Sequence, residues 1–102
     1  MVQQFSTTIT GSGGAIQLST VLSKTFFRWA NVFVPSGNSG TVQLGDSTVS
    51  ASVGQVIAKG ASFQIPPITM DERDAPSNRF YDATTFYVYV GSSDHAVITY
   101  AV

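Results

Sequence analysis

Short runs in which apolar and polar residues alternate recur along the chain, and this period of two predicts β-strands rather than helices. The longest series spans residues 41–67, where three such runs are separated by glycine-containing turns. Further strand-like runs are residues 2–10, 15–18, 26–35, 84–90 and 95–102. Roughly eight short strands without a convincing helix predict an all-β protein, a single small antiparallel β-sandwich with a jelly-roll-like arrangement.

The alternation also assigns side chains to faces. Val42 and Leu44 alternate with polar residues such as Gln43, which is the pattern of a half-buried strand with one solvated face. Residues 49–53 show the same pattern and predict another strand. The last two runs of the chain are separated by a short glycine- and serine-containing turn, which predicts an antiparallel hairpin.

Residues 26–35 are the most apolar run, and they predict one strand with apolar side chains on both faces. Such a strand is either central in its sheet or meets a partner on one face. Trp29, on the same predicted face as Phe27 and Phe33, is then either a core aromatic residue or a platform on which a sugar stacks.

The run at residues 84–90 carries a second group of large aromatic side chains. Its alternation places Val88 on one face and both Tyr87 and Tyr89 on the other. Either face could meet the core, a neighbouring subunit or water, and the two tyrosines are candidates for contact with a partner.

Composition narrows the class of protein. The 102 residues fit one domain, residues 1–102, and 43% of them are apolar. Only 11% are charged, against about 25% in a typical soluble protein, which suits a surface partly covered by neighbours. The net charge of −1 provides no basic face for nucleic acid. No apolar run approaches the roughly 20 residues of a membrane-spanning helix, so no membrane partner is expected.

Residues 69–82 form a segment in which charge is concentrated. The charged candidates for partner contact there are Asp71, Glu72, Arg73, Asp74 and Arg79. Long loops are often functional, so this one is either a solvated surface loop or an interaction loop that contacts a neighbouring subunit or a host surface. In the second case an arginine would offer its planar guanidinium group to a carboxylate of the partner.

Catalytic and metal-binding patterns do not stand out in the sequence. His95 is the only histidine, and no Gly-x-Ser-x-Gly turn accompanies it, so we interpret it as an ordinary surface or strand-edge residue. The acidic run at residues 71–74 lacks the pattern of a calcium loop. The chain has no cysteine, which favours assembly inside a cell or stabilisation by oligomerisation. We therefore expect a protein that is not an enzyme and uses no cofactor.

Three segments together resemble small virion proteins of tailed bacteriophages. They are residues 42–49 (VQLGDSTV), 54–62 (GQVIAKGAS) and 82–90 (DATTFYVYV). In that group a strand leads into a Gly-Asp-Ser turn, a hairpin bounded by two glycines follows, and a later strand ends in Tyr-Val. Together with the aromatic-containing strand from Trp29 and the final hairpin of the chain, the resemblance spans about two thirds of the chain, and the charged segment 70–79 departs from it as an insertion.

The resemblance implies a non-enzymatic structural component of a virion, placed on the capsid surface after assembly in the host cytoplasm. The expected role is that of a decoration or cement protein, which bridges subunits of the major capsid protein and forms a homo-oligomer, with a trimer favoured. The alternative is a tail or fibre module that binds a host-surface glycan, through Trp29, Tyr87 or Tyr89, or another tail protein.

Overall fold

The computed structural model describes residues 4–65 and 81–102. Across these two ranges there are ten β-strands and two single-turn 3-10 helices, Leu18–Thr20 and Ala83–Thr85. The strands are β1 (Gln4–Thr10), β2 (Gly14–Gln17), β3 (Phe26–Phe27), β4 (Trp29–Phe33), β5 (Val42–Gly45), β6 (Gln55–Ile57), β7 (Ser62–Ile65), β8 (Tyr81–Asp82), β9 (Tyr87–Val90) and β10 (His95–Ala101). The pairings between them are antiparallel.

Eight of these strands form two four-stranded sheets. The first sheet has the order β1-β10-β4-β7 and the second the order β2-β9-β5-β6, while β3 and β8 form a separate two-stranded ribbon. Several strands that follow each other in the chain, such as β1 and β2 or β9 and β10, lie in opposite sheets, whereas β5 and β6 form a hairpin within the second sheet. This arrangement is the jelly roll, a double sheet built from two Greek keys, and the predicted all-β sandwich is confirmed.

The core lies between the two sheets and consists of alternate side chains from their strands. Ile9, Val32 and Ile98 reach it from the first sheet, and Val42 and Val88 reach it from the second; each is at most 2% exposed. Burying one such side chain stabilises the fold by about 1.5–3 kcal/mol. A shift of one residue in any strand would turn its apolar side chains to solvent, so the alternation fixes which face is inward.

The predicted C-terminal hairpin is wrong, because β9 belongs to the second sheet and β10 to the first. The turn expected between these strands is present, but the chain crosses there from one sheet to the other. Residue spacing does not distinguish the two kinds of turn. Both strands have an apolar face to bury, and the crossing lets Val88 and Ile98 enter one core from opposite sides.

A second crossing, between β1 and β2, packs directly against this turn. The N–H of Gly11 donates to the carbonyl oxygen of Asp94 over 2.8 Å. A Cβ atom at position 11 would collide with the carbonyl oxygens of Gly91 and Val90, and the latter would lie only 2.6 Å away. Gly11 is therefore required by the close approach of two backbone segments at this corner.

Residues 49–53 form a turn rather than the predicted strand. Asp46 accepts hydrogen bonds from the N–H and the hydroxyl group of Thr48, at 2.9 and 2.5 Å, and this local bonding turns the chain. Ser50 and Val53 then exchange backbone hydrogen bonds in an isolated bridge. Because these bonds are satisfied locally, the apolar alternation does not produce a strand, and Val53 remains 48% exposed.

Residues 26–35 are not one continuous strand, because the chain bends at Arg28. The N–H of Arg28 donates to the carbonyl oxygen of Ala101, which is also the register partner of Trp29. Two residues of this segment thus oppose one residue of β10, as in a β-bulge, and such an insertion changes which side chains face inward.

The bend separates Phe27 from the aromatic residues that follow it. Phe27 is fully buried and stacks on the ring of Tyr81, with ring centroids 5.3 Å apart. Beyond the bend the inward positions are Ala30 and Val32, both also fully buried. The prediction that Phe27 shares a face with Trp29 is therefore wrong.

Candidate interaction surfaces

The bend at Arg28 turns Trp29, Asn31 and Phe33 to the outer face of the first sheet, away from the core. Phe33 is 40% exposed, and Trp29 is half-buried. The interpretation of Trp29 as a core aromatic residue is therefore wrong. Part of this apolar segment is therefore exposed in the single chain.

The strand register defines the surroundings of Phe33. Val97 lies beside it on β10, with Thr8 next on β1, and Ser62 lies on its other side on β7. The other outward positions of these strands are Gln4, Ser6, Thr10, Trp29, Asn31, Gln64, His95, Thr99 and Ala101. Asp, Glu, Lys and Arg are absent from these outward positions of the described strands, and the charged residue next to them in the chain is Arg28, at the bend before Trp29.

Tyr87 and Tyr89 project from the outer face of the second sheet, on the opposite side of the sandwich from Trp29. Both tyrosines are half-buried, and their register neighbours on β5 are Gly45 and Gln43. The face predicted for the two tyrosines, opposite Val88, is confirmed. The three aromatic candidates nevertheless fall into two separate places, because the structure brings the tyrosines together but not the tryptophan.

Gln43 is buried on this outer face, so its predicted place on a solvated face is wrong. Only 3% of its surface is exposed. Its Nε2 donates to Oγ1 of Thr41 over 2.7 Å, while its Oε1 has no hydrogen-bond partner among the described residues. The chain returning after β5 covers it, since a Cβ atom on Gly54 would lie 3.3 Å from Cβ of Gln43. Alternation gives no signal for a polar residue that a later turn covers.

Exposed valines border this second face. Val56 is the register partner of Gln43 on β6 and is 56% exposed. Val53, in the turn before β6, is 48% exposed. The outer face of the second sheet thus combines aromatic, aliphatic and amide groups, whereas the first sheet surrounds its apolar residues mainly with hydroxyl and amide groups.

A polar network holds the loop before β5 against the start of β10. The side-chain Nδ2 of Asn38 donates to the carbonyl oxygen of His95 over 2.7 Å, and its Oδ1 accepts from the N–H of His95 over 3.0 Å. Asn38 is only 5% exposed. His95 itself is exposed, as expected for a surface or strand-edge residue. The sequence places Asn38 in a loop, but its distant partner has no local signal.

The Asp94 carboxylate completes this network. It accepts hydrogen bonds from the N–H of Ser39 at 2.8 Å, from the N–H of Gly40 at 3.2 Å and from the Ser39 hydroxyl at 3.1 Å. These donors, the Ser39 N–H first among them, hold the pKa of Asp94 below its ordinary value, and the neighbouring His95 adds a smaller effect in the same direction. The carboxylate therefore serves as a fixed acceptor that ties two segments together.

Asp46 and Asp82 use their carboxylates in a similar local way. Asp82 accepts from the N–H and the hydroxyl group of Thr84, at 2.9 and 2.7 Å, as Asp46 does from Thr48. In both cases the threonine hydroxyl is the main cause of a lowered pKa. In the part of the chain that the structure describes, no three His, Cys, Asp or Glu side chains cluster as metal ligands would.

The charged candidates of the sequence cannot be placed in the same way. Asp71, Glu72, Arg73, Asp74 and Arg79 lie outside the described residues, so their role in partner contact stays a prediction. The last two residues of the segment, Tyr81–Asp82, form β8 and pair with β3.

Within residues 4–65 and 81–102, no helix is long and apolar enough to cross a membrane. Comparisons with protein-family models, with curated proteins and with solved structures find no match to this chain. The resemblance to tailed-phage virion proteins therefore rests on the sequence motifs, and a function has to be argued from those motifs and from the surfaces described above.

Proposed function

We propose that this protein is a non-enzymatic structural protein of a virion, and that it acts as a decoration or cement protein bridging subunits of the major capsid protein. Besides the sequence motifs, the observation that carries this proposal is the outer face of the first sheet. It presents Phe33 and Trp29 on four strands without a formally charged side chain. Protein interfaces have cores depleted in charge and enriched in aromatic residues.

The size of this face limits how tightly one copy binds. Four strands about 4.8 Å apart give a face roughly 15–20 Å across, which is small beside the roughly 800 Å² that each partner contributes to a standard interface. We expect single contacts to be weak. A homo-oligomer, a trimer by the resemblance, would add avidity by engaging several capsid subunits at once, and segment 69–82 would supply further contacts.

The fold is compatible with this role without specifying it. Jelly rolls occur in viral capsid proteins and in lectin domains, and one fold supports many functions. The proposal places the protein on the capsid surface, after assembly in the host cytoplasm, with the major capsid protein as its partner.

The test is addition of the purified protein to capsids formed by the major capsid protein that the same genome encodes. We expect saturable co-sedimentation at a fixed ratio to capsid subunits, measured by densitometry on both unexpanded and expanded capsids. Absence of binding to either form would contradict the proposal.

A second candidate function, a tail or fibre module that binds a host-surface glycan, is favoured by the outer face of the second sheet. Tyr87 and Tyr89 lie two residues apart on one face, where rings can stack on sugars. Glycan-array binding that Tyr89→Ala abolishes and Trp29→Ala preserves would support this candidate, because Trp29 lies on the opposite side of the sandwich.

A further inference from the structure

Among the described strands, β1 forms an edge of the first sheet, and it is longer than the other strands at sheet edges. It has seven residues, against four in β2, three in β6 and four in β7. It contains no charged residue and no proline, and its register with β10 is unbroken by a bulge. Natural edge strands usually carry charged residues, prolines or bulges, because these features prevent pairing with another chain. Their absence from β1 indicates an edge available for pairing.

The direction of the backbone groups in β1 follows from the hydrogen bonds next to it. The N–H of Gly11 donates to Asp94, toward β10, and residues two apart along a strand direct their backbone groups to the same side. Phe5, Thr7 and Ile9 therefore bond to β10. The residues whose N–H and carbonyl groups point away from the sheet are Gln4, Ser6, Thr8 and Thr10.

We propose that β1 pairs antiparallel with β1 of a second copy of this chain, in the register centred on Thr7. In that register Ser6 lies opposite Thr8 of the second copy, and Gln4 lies opposite Thr10 of the second copy. Each of these residues points its backbone groups outward, so each pair exchanges two hydrogen bonds. This register also uses the full length of the strand, since all seven residues are paired.

The side chains match in this register as well as the backbone. Gln4, Ser6, Thr8 and Thr10 are exposed, and they form polar pairs across the joint on the outer face. On the inner face Phe5, still half-buried and stacked on Tyr100 with ring centroids 5.5 Å apart, lies beside Ile9 of the second copy. Such cross-strand pairs each contribute roughly 0.2–1 kcal/mol.

Lys24 is a charged residue next to β1, with its Nζ 6.0 Å from the centroid of the Phe5 ring. A charge beside an edge opposes pairing when it meets its own copy. In the proposed register the two Phe5 positions are four residues apart along the joint, which is roughly 13–14 Å. That separation exceeds the Debye length of about 8–10 Å at physiological salt, so repulsion between the two lysines is screened.

The proposed pairing of β1 with β1 of a second copy follows from the fold and does not depend on the proposed virion role. An antiparallel pair of identical strands is a two-fold contact and closes with two copies. It predicts a dimer, or a larger oligomer built from dimers, rather than a trimer held by this contact. Binding to capsids and formation of this joint can therefore fail independently.

A cysteine cross-link tests the register directly, because the chain has no cysteine of its own. Thr7 would face Thr7 of the second copy in a non-hydrogen-bonded pair, with Cα atoms about 4.5 Å apart, within the range of about 4.4–6.8 Å that a disulfide spans. The control is Ser6→Cys, whose nearest copy lies on the diagonal at about 7–8 Å. We expect Thr7→Cys to form a covalent dimer under mild oxidation and Ser6→Cys to stay monomeric on a non-reducing gel.

Proline provides a second test on the uncrosslinked protein. Thr8→Pro removes an outward N–H from β1, and Gln64→Pro removes one from β7, at the other edge of the same sheet. We expect light scattering to show a dimer, or an oligomer built from dimers, for the unsubstituted protein and for Gln64→Pro, and half that mass, with native circular dichroism, for Thr8→Pro. No cross-link in Thr7→Cys, equal cross-linking in both cysteine variants, or a dimer that survives Thr8→Pro would overturn the proposal.

Discussion

The apolar residues on the outer faces of the two sheets have different neighbours. On the first sheet Phe33 lies among hydroxyl and amide groups and is 40% exposed. On the second sheet the turn after β5 folds back and buries Gln43, whose Oε1 is left unpaired among the described residues. Strand alternation thus determines which residues point outward, whereas the connections decide which outward residues stay available to a partner.

The largest expected effect distinguishes the core from the first outer face within one apolar segment. Phe27→Ala removes a fully buried ring and should lower the free energy of unfolding by about 3–5 kcal/mol. Phe33→Ala, in the same segment beyond the bend at Arg28, should cost about 1 kcal/mol or less. Urea denaturation measures both, and similar costs would show that the bend does not separate the two rings.

The next effect concerns the corner that sends consecutive strands into opposite sheets and so keeps the two faces apart. Gly11→Ala forces a methyl group against the carbonyl oxygens of Gly91 and Val90 and should cost about 1–3 kcal/mol. Gly37→Ala is the matched control, because a Cβ atom there meets nothing within 4 Å, and it should change stability by about 0.5 kcal/mol or less. Equal unfolding midpoints for the two variants would contradict the close approach at position 11.

A smaller effect of opposite sign tests the second outer face. Gln43→Met keeps the length of the side chain and removes the unpaired Oε1, whose desolvation costs about 1–3 kcal/mol. Because the bond to Thr41 is lost as well, we expect a net stabilisation of about 1 kcal/mol by denaturant unfolding. A loss of stability would mean that the amide oxygen has a partner in solution.

The smallest effect is the pH dependence contributed by the network that joins the two sheets. Its donors lower the pKa of Asp94 in the folded state, so the carboxylate stabilises the fold above its unfolded pKa of about 3.9. This contribution is lost as the pH falls through the lower folded pKa. Asp94→Asn should therefore lower the Tm at pH 7 and make progressively less difference in acid.

Asn38→Ala provides the control for that titration, because it breaks the same network without removing a titratable group. Its effect on the Tm should stay nearly constant between neutral and acid pH. If the loss of Tm in Asp94→Asn were also nearly the same at neutral and acid pH, the Asp94 carboxylate would not stabilise the fold through its charge.

Local alternation was sufficient to predict the fold class and several faces. The period of two predicted the strands β1, β9 and β10 and separated Val88 from Tyr87 and Tyr89, because alternation is a property of each strand alone. Which sheet the chain enters after a turn is not a property of one strand alone. Gly91 to Asp94 has the composition of a hairpin, yet it crosses between sheets, and only contacts with Gly11 and Ser39 distinguish the two outcomes.

The candidate surfaces could likewise be predicted only in part. Alternation placed Tyr87 and Tyr89 on one face, and the structure confirms it. Whether Trp29 lies on the same face as these tyrosines depends on which sheet each strand enters and on a backbone hydrogen bond from Arg28 to Ala101. Neither of these can be predicted from the alternation of apolar and polar residues. The burial of Gln43 depends on a turn about ten residues later in the chain, which is equally invisible to alternation.

The most direct test of the proposed function places the same charge on each outer face. Phe33→Lys and Val56→Lys both replace an exposed apolar residue, 40% and 56% exposed, one on each sheet. We predict that Phe33→Lys loses co-sedimentation with capsids, because a charge would be buried at the centre of the contact, and that Val56→Lys binds like the unsubstituted protein. Retained binding by Phe33→Lys, or loss confined to Val56→Lys, would contradict the assignment of the first sheet as the capsid-binding face.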